Sequence, residues 1–164
     1  MTDGSQGVFL ATKRGKSIHF PEEQVRPMGR VARGVRGIRL SRTDEVVSME
    51  IVDPAATILT VTEHGFGKRT KVSQYRVQNR GGQGIINIKV TPKIGPVVEV
   101  KQVTAEDELM ILTSEGKLIR LRAEGISVIG RNTQGLHLID LGENDRVVGL
   151  VGFVEQKALD NGID

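Results

Sequence analysis

VFLATKRGKSIHF at residues 8–20 returns as ILTVTEHGFGKRTKV at residues 58–72 and as LMILTSEGKLIRL at residues 109–121. These stretches decide how the chain folds. A shift of about 50 residues, in the range of propeller-type repeats, brings Thr12, Thr62 and Thr113 into line, together with Gly15, Gly65 and Gly116. Further on, Arg30, Arg80 and Arg131 coincide, each four residues ahead of Gly34, Gly84 or Gly135. Ile38/Leu40, Ile88/Val90 and Ile139/Leu141 follow, and each copy closes on a valine pair: Val46-Val47, Val97-Val98 or Val147-Val148.

The apolar runs are short, rich in Val and Ile, and broken by glycine turns, a β pattern rather than a helical one. Each copy reads as about four short strands. Thr12-Lys13-Arg14-Gly15 is the kind of turn a tight hairpin needs, with glycine taking a positive φ. In the second copy Ile86, Ile88 and Val90 alternate with Asn87 and Lys89, which places the first set inward and the second toward solvent. A single small sheet cannot bury its own apolar face, so stability must come from sheets stacked in series. The residues alone leave open a duplicated all-β scaffold with no particular ligand.

The chain has 164 residues, 38% of them hydrophobic and 26% charged, enough apolar material to fold and too little charge for wholesale disorder. It contains no cysteine, which excludes disulfides and thiolate metal sites and fits a reducing compartment. There is no signal-peptide pattern at the start and no apolar run long enough to span a bilayer, so neither secretion nor a membrane partner is expected. The net charge of +3 hides an uneven distribution. Residues 1–54 hold nine Lys/Arg against seven Asp/Glu, residues 55–104 eight against two, and residues 105–164 six against eleven. A basic body with an acidic end suits a polyanionic partner, and a solvated basic face is the alternative.

MGRVARGVRGIRL, HGFGKRTKVSQY and ISVIGRNTQGLHLI resemble the C-terminal domain of bacterial DNA gyrase A subunits, and the resemblance runs from about Val8 to Phe153. It implies an all-β, propeller-like β-pinwheel in which neighbouring blades exchange strands and duplex DNA bends around a basic rim. Three four-stranded blades would form a partial disc: residues 8–54, 55–104 and 105–154, after a leading linker at 1–7 with an introduced Met1 and before the start of an acidic tail at 155–164. Six blades are usual in the family, and these look like the last three. Open blade faces would then favour self-association.

The family carries a seven-residue basic box, Gln-[Arg/Lys]-Arg-Gly-Gly-[Arg/Lys]-Gly. Gln78, Arg80, Gly81, Gly82 and Gly84 match it, while Asn79 and Gln83 replace its two variable cations. It is read as a related loop, the full box being expected in an upstream blade. The implied function is a non-catalytic DNA-wrapping module of gyrase, cytoplasmic and nucleoid-associated, supporting ATP-dependent supercoiling by the whole enzyme. Its partners would be double-stranded DNA, the rest of gyrase A and gyrase B, with ATP and Mg bound elsewhere and no cofactor here. The equivalent domain of topoisomerase IV and a propeller-like protein-interaction module with incidental charge are the alternatives.

Wrapping needs a curved row of cations to neutralise phosphates. The candidates are Lys13, Arg14 and Lys16 in the first hairpin, Lys68, Arg69 and Lys71 in the second, and Arg30, Arg33, Arg36 and Arg39 around the first glycine turn. Arg80 and Lys89 continue the row, then Lys117, Arg120, Arg122 and Arg131, although Asp140 stands where Arg39 and Lys89 stand in the earlier copies. The aligned Arg30, Arg80 and Arg131 have a second reading, as anchors for loop carbonyls. Tyr75 aligns with Val25 and Ile126 and is read as core; the resemblance places the family's cleavage tyrosine upstream. Gly15-Lys16-Ser17 lacks the first glycine of a P-loop, and His19, His64 and His137 are too scattered for a zinc site, so no catalytic or metal site is assigned.

Overall fold

The computed structural model describes residues 1–153; the expected acidic tail from residue 155 lies outside the described residues. The first repeat forms β1 (Gly7–Thr12), β2 (Lys16–Pro21) and β3 (Val46–Val52). The second forms β4 (Thr57–Thr62), β5 (Phe66–Lys71), the two-residue β6 (Ile85–Ile86) and β7 (Val97–Val103). The third forms β8 (Glu108–Thr113), β9 (Leu118–Arg122), β10 (Leu136–His137) and β11 (Val147–Phe153).

Each hairpin closes as its sequence demands. Gly15 N donates to Thr12 O at 3.1 Å, Gly65 N to Thr62 O at 3.1 Å and Gly116 N to Thr113 O at 3.0 Å. All three glycines sit at φ between +81° and +84°, where a side chain would be strained. The threonine hydroxyl adds a second tie, accepting from Lys16 N at 3.1 Å in the first repeat and from Lys117 N at 3.3 Å in the third.

The sheets do not follow the repeat boundaries. Their strand orders are β3-β1-β2-β6, β10-β5-β4-β7 and β11-β8-β9, with antiparallel pairing throughout. The fourth strand of the first and second sheets therefore arrives from the following repeat, and the third sheet has three strands among the described residues. The sheets stack through their apolar faces. Phe9, Ala11 and Val52 meet Ile58, Tyr75 and Val100 between the first and second sheets. Leu59, Val61 and Val103 meet Leu109, Ile111 and Leu150 between the second and third. Tyr75 is core as read, its ring edge-on to Phe9 at 4.9 Å and its hydroxyl donating to Asn87 Oδ1 at 2.6 Å.

One expectation fails at the exchanged strand. Asn87 is fully buried and Ile86 is exposed, the reverse of simple alternation. The cause is local: Asn87 N and Ile88 N both donate to Gly15 O, at 2.8 and 3.2 Å, so two successive residues face one partner and the alternation slips. Leu138 N and Ile139 N repeat this arrangement on Gly65 O. Asn87 turns inward to exchange hydrogen bonds with Thr60 and Tyr75, so its amide is satisfied in the core.

Candidate nucleic-acid interface

The strand exchange assembles a basic cleft from two repeats. Lys16 begins β2, and Ile86 pairs opposite it, so the loop before β6 is carried onto the first hairpin. Ile38 is buried, and the next residue, Arg39, donates its backbone N–H to Gly82 O at 2.8 Å. Its side chain is left exposed. The resulting cleft, of about 540 Å³, is lined by Arg14, Lys16 and Arg39 from the first repeat and Gln83 from the second, with Asp44 at one side. Asp44 Oδ1 accepts from Arg14 N at 2.9 Å, which fixes the hairpin tip, and Arg14 Nε donates to Thr43 O at 3.1 Å. No carboxylate pairs with the side chains of Arg14, Lys16 or Arg39 among the described residues. Such a cleft presents three cations and an amide to an oxyanion. A neighbouring cleft of about 590 Å³ is lined by Lys13, Arg14 and His64, although Lys13 is tied to Glu45 at 2.7 Å.

Two of the expected surface cations are not on the surface. Lys68 and Arg69 are buried in β5, because Lys68 occupies the inward position filled by Ile18 and Ile119 in the other repeats. Lys68 Nζ donates to Thr70 Oγ1 at 2.9 Å, Asn87 O at 2.6 Å, Gly130 O at 2.8 Å and Arg131 O at 3.2 Å. Burial lowers its pKa to about 7, with Arg131 nearby acting in the same direction. Arg69 Nε donates to Ile126 O at 2.8 Å. Both side chains clamp the third repeat onto the second sheet. Lys71, the third member of that cluster, is exposed, as are Arg30, Arg33, Arg36 and Lys89; none of these five lines the basic cleft.

The aligned arginines divide. Arg80 Nη1 donates to Arg36 O at 2.7 Å and its Nε to Gln24 O at 3.1 Å, while Arg131 Nη1 donates to Ile86 O at 2.8 Å. Arg36 and Ile86 are equivalent positions, so each arginine pins its loop to the preceding repeat. The carbonyl-anchor reading holds for these two. Around Arg80, Gly81 and Gly84 adopt φ of +83° and +72°, and a Cβ at Gly84 would collide with Ser17 O. Gly82 supplies the carbonyl that holds Arg39, and Gln78 N donates to His19 O at 2.7 Å. The box-like loop thus acts as an inter-repeat joint whose exposed members are Asn79 and Gln83.

In the third repeat the cations have acidic company. Lys117 pairs with Glu115 at 3.0 Å and Asp145 at 3.3 Å. Arg120 Nε donates to Glu108 Oε2 at 2.6 Å, and Arg122 lies 3.5 Å from both Glu108 and Glu124. Asp140 faces His137 at 3.4 Å.

The family model for the DNA gyrase C-terminal domain, beta-propeller, matches residues 8–53, 56–104 and 107–151. The chain belongs to this family. The DNA gyrase A protein of Salmonella typhimurium is 49% identical over 155 residues, which is 94% of this chain and 18% of the relative. Its Staphylococcus aureus counterpart is 43% identical over 162 residues, 98% of this chain and 18% of that protein. The chain thus spans less than a fifth of the curated relatives it matches. Among solved structures, a DNA gyrase A C-terminal domain superposes with a TM-score of 0.85 at 29% identity, covering 92% of this chain and 51% of that one. A topoisomerase IV C-terminal domain superposes at 0.86 with 24% identity, covering 92% and 47%, a likeness of fold.

Within this gyrase-type domain, sequence reasoning missed Arg26, Arg42 and Arg76, all exposed and without an acidic partner among the described residues. Arg26 and Arg76 are equivalent positions, one residue after the aligned Val25 and Tyr75, with Ser127 in the third copy, so the repeat register itself was the signal for two of the three. The burial of Lys68 did have a signal: its alignment with two isoleucines.

Proposed function

We propose that this domain binds the backbone of duplex DNA through the cations of its first two repeats and helps bend it, as part of a bacterial cytoplasmic gyrase built from A and B subunits. The observation that carries the reading is the cleft where Arg14, Lys16 and Arg39 converge without a carboxylate on their side chains, beside Gln83 of the box-like loop. Phosphate contact by such side chains is insensitive to sequence and sensitive to salt. Only five residues are aromatic, which disfavours base stacking as the main mode of contact. In the whole enzyme the module would present DNA for supercoiling, with ATP and Mg handled by other parts.

The test is a titration of a fluorescent duplex of several helical turns at graded salt, comparing the chain with Arg14→Ala/Lys16→Ala/Arg39→Ala. Binding should weaken in the variant, and the dependence of log K on log salt should flatten by roughly 0.9 for each phosphate that is no longer neutralised. Equal affinity and equal slopes would remove this cleft from the DNA path. No measurable binding of either at low salt would favour a protein partner for the domain instead. Lys68 and Arg69 are unsuitable for this test, because their loss disturbs the fold.

A further inference from the structure

Where the second and third repeats join, the chain closes over a buried amine. We propose that this joint is a proton-linked latch: the third-repeat loop at Gly130-Arg131 docks on Lys68 with release of a proton, so the two repeats hold together more firmly as the medium becomes more alkaline.

The cage suits an amine without its charge. Lys68 is fully buried, and its Nζ stands among Asn87 O at 2.6 Å, Gly130 O at 2.8 Å, Thr70 Oγ1 at 2.9 Å and Arg131 O at 3.2 Å. An ammonium has three N–H donors to offer these oxygens. A neutral amine has two, which serve the nearest pair, Asn87 O and Gly130 O, and a lone pair that accepts from Thr70 once its hydroxyl turns about. In either state the more distant Arg131 O is the one left over. Shedding the proton therefore costs the cage no contact, whereas keeping it holds a full charge in the interior.

The ionisable groups around the cage act in the same direction. From the third repeat comes Arg131, whose guanidinium donates to Ile86 O and repels an ammonium. On β5 itself Arg69 is directed to Ile126 O, and Lys71 is exposed. Tyr75 donates its hydroxyl to Asn87 Oδ1, and burial pushes its pKa up, which keeps it a neutral phenol. No carboxylate pairs with Lys68 among the described residues. Burial first, and Arg131 second, lower the Lys68 pKa from its ordinary 10.5 to about 7. Between those two values an undocked Lys68 holds a proton that the docked one has given up. Docking therefore strengthens as pH rises through that window, and the gain is absent below it, where both forms are charged.

The first joint lacks this device. Ile18 holds the equivalent place, opposite Leu10 as Lys68 is opposite Thr60, and a Cβ at Gly82 would lie 3.7 Å from Ile18 Cδ1. The loop over Lys68 also reaches the surface. Lys89 N donates to Thr133 O at 2.7 Å and Thr91 Oγ1 to Gln134 Oε1 at 2.9 Å, so a loop that lifts off Lys68 also frees the exposed Lys89.

The chain with lysine isotopically labelled at Cε can be titrated by NMR from about pH 6 to 11. One lysine signal should titrate near neutral pH, and it should be missing from Lys68→Met. Urea unfolding then reads the linkage. From about pH 7 to 9 the unfolding constant of the parent should fall relative to that of Lys68→Met by roughly 10- to 100-fold, every other titrating group being common to both. Lysines that all titrate near the ordinary value would overturn the proposal, as would a ratio of unfolding constants that does not change with pH. If Lys68→Met does not fold, the titration of the parent decides the matter alone, since a lysine shifted in the folded chain is itself a link between docking and proton release.

Discussion

Lys16 and Lys117 hold the same place at the start of the second hairpin strand, in the first and third repeats, and their neighbours give them different roles. Lys117 has Glu115 two residues before it and Asp145 across the turn, at 3.0 and 3.3 Å. Lys16 has Arg14 in the place of Glu115, and Asp44, which accepts the same two backbone N–H groups as its counterpart Asp145, makes no ion pair with it. The same lysine on the same scaffold is therefore internally neutralised in one repeat and available in the other. Whether a cation belongs to a binding rim is decided by what stands one strand or one turn away.

The second repeat provides the sharpest break. If Lys68 were a rim cation like Lys16, removing it would leave the fold intact. The structure instead requires it to satisfy four oxygens in the interior. Lys68→Ala should cost about 3 kcal/mol, a fall in Tm of roughly 6 to 12 °C, because buried acceptors are left unpaired. Lys16→Ala should stay within about 0.5 kcal/mol of the parent. Thermal or urea unfolding of the pair measures the contrast, and equal stabilities would mean that the interior clamp is not formed.

Arg14→Glu rewrites the first hairpin in the pattern of the third. It removes one cation from the cleft and offers Lys16 the carboxylate that Lys117 already has. DNA affinity at ~0.1 M salt should fall about tenfold, and the salt slope should become shallower by roughly 2, since two phosphate contacts are affected. A loss of affinity with an unchanged slope would point to altered shape rather than lost counterion release.

Much of this fold was legible because its determinants are local and repeated. Thr-x-x-Gly fixed the hairpins, and valine-rich runs at a common spacing fixed the strands. The glycines aligned at positions 34, 84 and 135 all adopt positive φ. The facing of side chains was less legible. Gly67-Lys68-Arg69-Thr70-Lys71 reads as surface charge until it is held in register with Ile18 and Ile119, which mark its second residue as interior. Asn87 gave no such warning, because the slip that turns it inward depends on two amides sharing Gly15 O, a contact between repeats. Arg80 and Arg131 were open between phosphate and carbonyl for the same reason: their acceptors lie 44 and 45 residues away. Periodicity reports what each repeat does for itself, and the cleft at Arg14, Lys16 and Arg39 is made by two repeats together.

The converse exchange, Glu115→Arg, should have the smallest effect. It adds a cation to the third hairpin and removes one of the two carboxylates that hold Lys117. Asp145 remains, buried at the turn and accepting from Glu115 N and Ser114 Oγ, each at 3.1 Å. Burial by itself would raise the Asp145 carboxyl, but these hydrogen bonds, with others from Thr113 and Lys117, bring its pKa down to about 2. It therefore stays charged wherever DNA binding is measured and keeps its grip on Lys117. Affinity should rise about twofold to threefold, with the salt slope steeper by roughly 0.9, because the new arginine alone becomes available. A steepening nearer twice that would mean Lys117 had also been released and that Glu115, not the buried aspartate, was its controlling partner.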